Sequence, residues 1–310
     1  MKVSPGLPPT PSGTDSGERR LGFLVLDKPA GLTSHACVNR VRRTYGLRRV
    51  GHGGTLDPAV TGVLPIAVGA ATRLLPYLPG GKSYRGVIQL GLRTSSDDLE
   101  GEVLETRGVP PLEEQELNAL LDGFRGEIQQ RPPRISAVHI DGERAYVRAR
   151  RGEQPEPPPR AVTLHRLELI GWDPITSRLE IELDCSAGTY VRSLARDLGE
   201  RLGCGGALAQ LRRTAALGFN LAGACDMESL MAEAPPPLRD PLEALSHLPR
   251  HHLDALEWPQ WRCGRPLTTG TPPPAGQAVA VLDLQGRLAG IALSDGHDQL
   301  QPRLVFDAAG

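Results

Sequence analysis

Apolar and polar positions first fall into a pattern at Gly22-Phe23-Leu24-Val25-Leu26, a short apolar run closed by Lys28-Pro29 that reads as a buried strand. Ser34 then stands where a helix cap is expected, and Val38, Val41 and Tyr45 recur at helical spacing up to Gly46. Arg40, Arg42 and Arg43 take the other face, with Arg48 and Arg49 just beyond. A glycine-punctuated loop, Gly51–Pro58, leads to a strand over Gly62–Val68 and a short helix around Ala70–Leu78. Tyr84–Leu90 alternates with period two, which puts Tyr84, Ile88 and Leu90 on one face of a strand. A helix is expected from Leu112, a strand over Ile135–Ile140, and an arginine-studded helix over Glu143–Arg151. Leu179, Ile181, Leu183 and Cys185 alternate as a half-buried strand. After a turn at Gly188 a helix runs from about Tyr190 to Leu202, stopped by Gly203.

A chain of 310 residues exceeds one average domain. Residues 1–20 are rich in Pro, Gly and Ser and nearly free of large apolar groups, so a disordered tail is expected there. A proline-rich stretch at Ala234–Pro237 marks a boundary region. Beyond it, Ala278–Leu284 and Leu288–Leu293 flank a Gln285-Gly286-Arg287 turn, and Leu304-Val305-Phe306 follows, the signature of a small β-rich module. The expected architecture is α+β: a catalytic domain over residues 21–247, built on a mixed sheet with flanking helices, then a β-rich domain over 248–310.

Charge is patterned although the net charge is only −1. From Arg19 to Arg73 there are nine basic residues against Asp27 and Asp57, and from Thr94 to Asp122 nine acids against one arginine. A near-neutral total therefore leaves room for a polyanionic partner on one side. Lys2, Lys28 and Lys82 are the only lysines, and arginine suits bidentate phosphate contacts and stacking on bases. Five cysteines without a C-x-x-C pair argue against a disulfide framework or zinc ribbon and fit a reducing cytoplasm. The first twenty residues lack the apolar core of a signal peptide, and no apolar run approaches the ~20 residues of a membrane helix. A cytoplasmic protein without a membrane association is expected.

The loop Gly51-His52-Gly53-Gly54-Thr55-Leu56-Asp57-Pro58 allows close approach of a ligand but lacks the Gly-Lys-Ser/Thr of a phosphate-binding loop. Taken alone, Asp57-Pro58 reads as the start of a turn. Its continuation changes that. GHGGTLDPAVTGVLPIAVGAATRLL closely resembles the segment around the catalytic aspartate of the TruB-type tRNA pseudouridine synthases. Gly22–Pro29 resembles that family's opening strand and Lys-Pro turn, Lys82-Ser83-Tyr84-Arg85 its K-x-Y-R element, and Gly188–Arg192 its G-T-Y-[IV]-R element. Leu211-Arg212-Arg213-Thr214 matches a later L-R-R-T segment. The five elements keep the family's order over roughly residues 21–220.

The resemblance implies a reaction and roles. Pseudouridine forms when the N1–C1′ bond of uridine breaks and the base rejoins through C5, with no atoms gained or lost, so neither cofactor nor metal is expected. Asp57 would be the nucleophile; attack at C1′, attack at C6 and a glycal route all remain open. Arg192 would hold that carboxylate ionised and aimed, and Tyr84 would stack on the detached uracil and handle the C5 proton. His52, Tyr190 and Leu211 match substrate-contacting positions. The implied substrate is the T arm of tRNA at uridine-55, extruded from its stack at a cost of a few kcal/mol, with no obligatory protein partner.

Departures from the family pattern are Gly53 for a common threonine, Ile135 for a frequent aromatic, His139 for a frequent lysine, and Ser95-Ser96 for an acidic-threonine pair. Trp258, Trp261 and Cys263-Gly264-Arg265 resemble the small PUA-like RNA-binding domain that often ends the family. Two rival readings are a guide-dependent pseudouridine synthase and a non-catalytic tRNA-binding or folding protein.

Overall fold

The structure is a computed structural model that describes residues 21–271 and 273–306, and the tail expected over residues 1–20 lies outside them. Strand β1 (Gly22–Lys28) has every residue but Asp27 buried. Its run is apolar throughout because both faces are covered: Leu24 and Leu26 enter one core, Phe23 and Val25 another. Helix α1 (Ser34–Tyr45) follows and is closed by Gly46 at φ 64°. Thr33, not Ser34, caps it, accepting from the Ala36 N–H at 3.0 Å. Ser34 is the first helical residue and turns inward instead.

Strands β2 (Val50–His52), β3 (Thr61–Val68) and β4 (Lys82–Leu90) come next, with the short helix expected around Ala70–Leu78 formed as a 3₁₀ helix over Gly69–Tyr77. A hairpin of β5 (Leu92–Thr94) and β6 (Val103–Thr106) precedes α2 (Glu114–Asp122) and β7 (Gly126–Gln130). The strand expected over Ile135–Ile140 shrinks to β8 (His139–Ile140), which pairs with β9 (Glu143–Arg144) ahead of α3 (Ala145–Arg150). Then come β10 (Arg160–Asp173), β11 (Arg178–Cys185), α4 (Val191–Arg201), β12 (Gly206–Ala216) and β13 (Phe219–Asn220).

These build a nine-stranded sheet among the described residues, in the order β1-β3-β12-β4-β11-β10-β7, with β2 on β3 and β13 on β12. It is mixed: β12 runs parallel to β3 and antiparallel to β4. The parallel contact is close, since a Cβ on Gly62 would lie 2.2 Å from the Arg213 carbonyl oxygen. One face carries α1, α2 and α4 over a core that includes Val38, Ile66, Ile88, Leu121, Ile181, Leu194 and Leu198.

The C-terminal part forms a second sheet from β14 (Arg250–His252), β15 (Leu267–Thr268), β16 (Ala278–Leu282), β17 (Leu288–Ser294) and β18 (Gln299–Val305). Its order is β14-β16-β17-β18-β15. The α+β class and the β-rich ending are thus as expected. Ala280, Leu288, Ile291 and Phe306 join Phe23, Val25, Val63 and Leu74 in one core, so the small sheet covers the far face of the large one.

Candidate active site

Three side chains fix the loop that carries Asp57. The Ser34 hydroxyl accepts from the Leu56 N–H at 2.8 Å and lies 3.1 Å from the Leu56 carbonyl, to which it can donate, so the first turn of α1 grips the residue just before Asp57. Lys28, fully buried at the end of β1, donates through Nζ to the carbonyls of Pro29, Leu32 and Pro58 at 2.8, 2.7 and 3.1 Å. Burial lowers its pKa, opposed by Cys37 and Asp57. Arg213, also fully buried, donates from Nε to Val63 O at 2.7 Å and from Nη2 to Gly54 O at 3.1 Å. Gly54 has φ 123°, a backbone that a side chain would strain. The loop on both sides of Asp57 is thereby pinned from three directions.

Asp57 meets Arg192 at 3.1 Å, Oδ2 to Nη2, with 47% of the aspartate side chain exposed and only 8% of the arginine. The carboxylate can be reached from outside while its cation is shielded. Arg192 is engaged through both terminal nitrogens: Nη1 donates to Ser96 O at 2.9 Å, Nη2 to Ile135 O at 3.0 Å, and Asp98 Oδ2 lies 3.6 Å from Nη1. Two carboxylates and two carbonyls thus fix one guanidinium, a charge-assisted arrangement with a single geometry.

The neighbouring strands supply the rest of the wall. Tyr84 on β4 faces Arg213 on β12 across the register, and Gly86 faces Leu211. A Cβ on Gly86 would stand 3.2 Å from Leu211 Cδ1, so the glycine makes room for that leucine. Burial pushes the Tyr84 phenol up, and Arg213 partly offsets this.

A family model for the N-terminal domain of TruB family pseudouridylate synthases matches residues 42–191. A model for the tRNA pseudouridylate synthase B C-terminal domain matches residues 192–243. The chain belongs to the TruB family. It is 64% identical to the tRNA pseudouridine synthase B of Parasynechococcus marenigrum strain WH8102 over 289 residues, 93% of this chain and 98% of that protein. The protein of the same name from Synechococcus strain WH7803 is 59% identical over 94% of this chain and 99% of its own length. Among solved structures, the archaeal box H/ACA sRNP Nop10–Cbf5 complex contains a chain that aligns with TM-score 0.67 and 25% identity, over 93% of this chain and 86% of that one. A chain of an H/ACA RNP bound to a substrate RNA containing 2′-deoxyuridine aligns with TM-score 0.69 at 24% identity over 92% and 84%, a likeness of fold. TruB family members are isomerases, and this chain is an enzyme of that class.

Within this TruB-family site, the other residues expected from the sequence lie as follows. Tyr190 is the N-cap residue of α4, and buried Gln130 fixes its backbone, accepting from Tyr190 N at 2.8 Å and donating to Tyr190 O at 3.1 Å. The Arg160 guanidinium lies 5.0 Å from the Tyr190 ring centre. His52 ends β2, its Nδ1 accepting from Gly54 N at 3.3 Å. Burial, then Arg213, pushes its pKa down, which keeps the ring neutral. In the sequence Lys28 stands at a strand end and Ser34 at a cap position, and nothing there marks a role at this site for Asp98. For Arg213 the available signal is its place inside the L-R-R-T run. Arg213 Nη1 is buried without an acceptor among the described residues, and Lys82 Nζ and this atom would lie 3.6 and 3.5 Å from a Cβ on Gly54.

Proposed function

We propose that the enzyme converts uridine-55 in the T loop of tRNA to pseudouridine, with Asp57 as the nucleophile. The observation that carries this reading is the half-exposed Asp57 carboxylate held at 3.1 Å by a buried Arg192 that is itself anchored on two backbone carbonyls. The name tRNA pseudouridine synthase B on relatives up to 64% identical supports the substrate class. Asp57 takes up the ribose or the base, the N1–C1′ bond breaks, the uracil turns, C5 bonds to C1′, the bond to Asp57 is released, and the C5 proton is lost while N1 gains one. Arg192 keeps Asp57 ionised and aimed. Tyr84 stacks on the freed uracil beside Leu211, and Tyr190 and His52 contact the displaced nucleotides. No atoms enter or leave, so the chain is expected to need no cofactor, metal or protein partner, and to work in the cytoplasm where tRNA matures.

The test is incubation of purified protein with unmodified tRNA, EDTA present, followed by mapping of pseudouridine by carbodiimide-blocked primer extension. Product at position 55 alone is expected. Activity only with an added guide RNA and partner proteins would favour a guide-dependent enzyme. Tight tRNA binding without product would favour a binding or folding protein.

A further inference from the structure

Two arginines one turn apart on α4 reach across the same pair of loops. Arg192 donates to Ser96 O and Ile135 O on its way to Asp57. Arg196 repeats that span one turn farther along the helix. Its Nη1 meets Asp97 Oδ2 at 2.9 Å, its Nη2 donates to Arg131 O at 2.9 Å, and its Nε donates to Asp197 Oδ1 at 2.9 Å. The Ser193 hydroxyl adds a second bond to Arg131 O at 2.8 Å. Segments 96–98 and 131–135 are therefore each tied to α4 at two levels, an inner tie by Arg192 and an outer one by Arg196.

The inner tie depends on the outer. Ser96 O and Ile135 O belong to irregular backbone that no strand pairing fixes. Asp97 sits at φ 62°, a left-handed conformation that a non-glycine residue keeps only where its surroundings hold it. Its carbonyl is docked on β12 by Leu208 N at 2.9 Å, and its carboxylate is docked on Arg196. The Asp97 and Arg196 side chains are 15% and 19% exposed, so the pair is largely shielded, unlike the surface pair Arg85–Glu180 at 52% and 42%.

We infer that Arg196 and Asp97 form a positioning pair for the reaction: they fix the two carbonyls that aim Arg192, and through Arg192 they aim the Asp57 carboxylate. The pair acts one layer behind the reacting groups and is not itself placed against the substrate. This inference rests on Asp57 being the reacting carboxylate.

The experiment measures single-turnover pseudouridine formation at saturating enzyme, tRNA Kd and melting temperature for wild type, Arg196→Gln, Arg196→Lys and Asp97→Asn. Asp57→Asn is carried as the control on the underlying reading, and Leu198→Ala, which empties the core beneath the same helix, shows what destabilisation alone does to the rate. Arg196→Gln should slow the chemical step at least tenfold with Kd unchanged within twofold. Arg196→Lys, which keeps the charge opposite Asp97 but not the fork, should fall between. In an Arg192→Lys background, Arg196→Gln should add little further loss, because its effect passes through Arg192. A wild-type rate in Arg196→Gln, a loss no larger than that of Leu198→Ala at equal melting temperature, or full additivity with Arg192→Lys would each overturn the inference. Turnover by a folded Asp57→Asn protein would instead remove the reading on which it rests.

Discussion

Asp57 is held at its shoulders as well as by its carboxylate. Ser34 and Lys28 grip the backbone of Leu56 and Pro58 on either side, leaving Arg192 as the ion-pair partner of the acid itself. Arg192 in turn keeps Asp98 and two carbonyls whatever stands at position 57. Asp57→Asn should therefore melt within a few degrees of wild type and bind tRNA within a few-fold, since affinity rests on many phosphate contacts. It should release no tritium from tRNA labelled at uridine C5, because the amide is a far weaker nucleophile than the carboxylate. Tritium release at a measurable fraction of the wild-type rate would mean that another group attacks. Tyr84 has a second duty that sequence did not reveal. It faces Arg213 across the β4–β12 register, and it opposes the lowering of the Arg213 pKa by burial. Tyr84→Phe should keep substrate stacking yet lower the unfolding free energy, because it removes the hydroxyl that faces the buried Arg213 across the register. Tyr84→Leu should lose the stacking as well, worth roughly 1–3 kcal/mol per base. Denaturant titration and single-turnover rates separate the two effects, and equal stability of Tyr84→Phe and wild type would show that the hydroxyl does nothing for Arg213.

At the scale of elements, those that announced themselves have one undisturbed period. β1, α1, β4, β11 and α4 all lie within a few residues of where apolar spacing and a closing glycine or proline put them. β10 and β12 carry no clean two-residue alternation in the sequence, and their pairing explains why. β10 carries irregularities between Leu164 and Arg166 and between Leu169 and Gly171, and β12 between Leu208 and Gln210 and between Arg213 and Ala215. Each shifts the phase of a two-residue repeat, so alternation cancels over the full length. β12 is also masked by its arginines, which look like surface and in fact include a fully buried one. The strand expected over Ile135–Ile140 failed for a related reason. The carbonyls of Arg131, Ile135 and Ser136 are taken by Ser193, Arg192 and the Tyr146 N–H, so that backbone bonds to α4 and α3 instead of a sheet. The pairing of Asp57 with Arg192 was legible because both sit in motifs, whereas the supports contributed by Ser34, Asp98 and Arg213 depend on tertiary geometry. Ser34 gives a direct test at this scale. Ser34→Ala leaves the buried Leu56 N–H without the partner that satisfies it, a cost of about 1–3 kcal/mol. Thr33 still caps α1, so helix content should not change. The expected result is an unaltered far-ultraviolet spectrum, a lower midpoint in urea and a slower single-turnover rate at unchanged tRNA affinity. A wild-type rate in this variant would show that the Asp57 loop does not need that grip.

For the whole molecule, the question is what the C-terminal sheet does for the catalytic one. Its place at the end of the chain and its resemblance to a PUA-like module suggest a detachable RNA-binding unit, with a boundary proposed at residue 248. The packing argues for a second role. Phe23 and Val25 of β1, Val63 and Ala67 of β3, and Leu74 of the 3₁₀ helix share a core with Leu288, Ile291 and Phe306. The Arg73 guanidinium stands 5.6 Å from the Phe306 ring centre. β1 and β3 are also the strands whose other faces bury Leu24, Leu26, Leu64 and Ile66 beside the Asp57 loop. Fully burying a large apolar side chain is worth about 1.5–3 kcal/mol, so Leu288, Ile291 and Phe306 together account for roughly 5–9 kcal/mol. That is comparable with the whole stability of a typical protein, about 5–15 kcal/mol. A chain ending at residue 247 should therefore melt far below the full protein or fail to fold, and lose turnover with its structure. The informative comparison is Ile291→Ala in the intact chain, which thins this shared core without removing the module's surface. It should cost about 2–5 kcal/mol of stability and leave the single-turnover rate of the folded fraction near wild type. Should the truncated chain instead melt like the full protein and fail only in tRNA binding, the far face of the large sheet does not depend on its cover, and the module serves RNA alone.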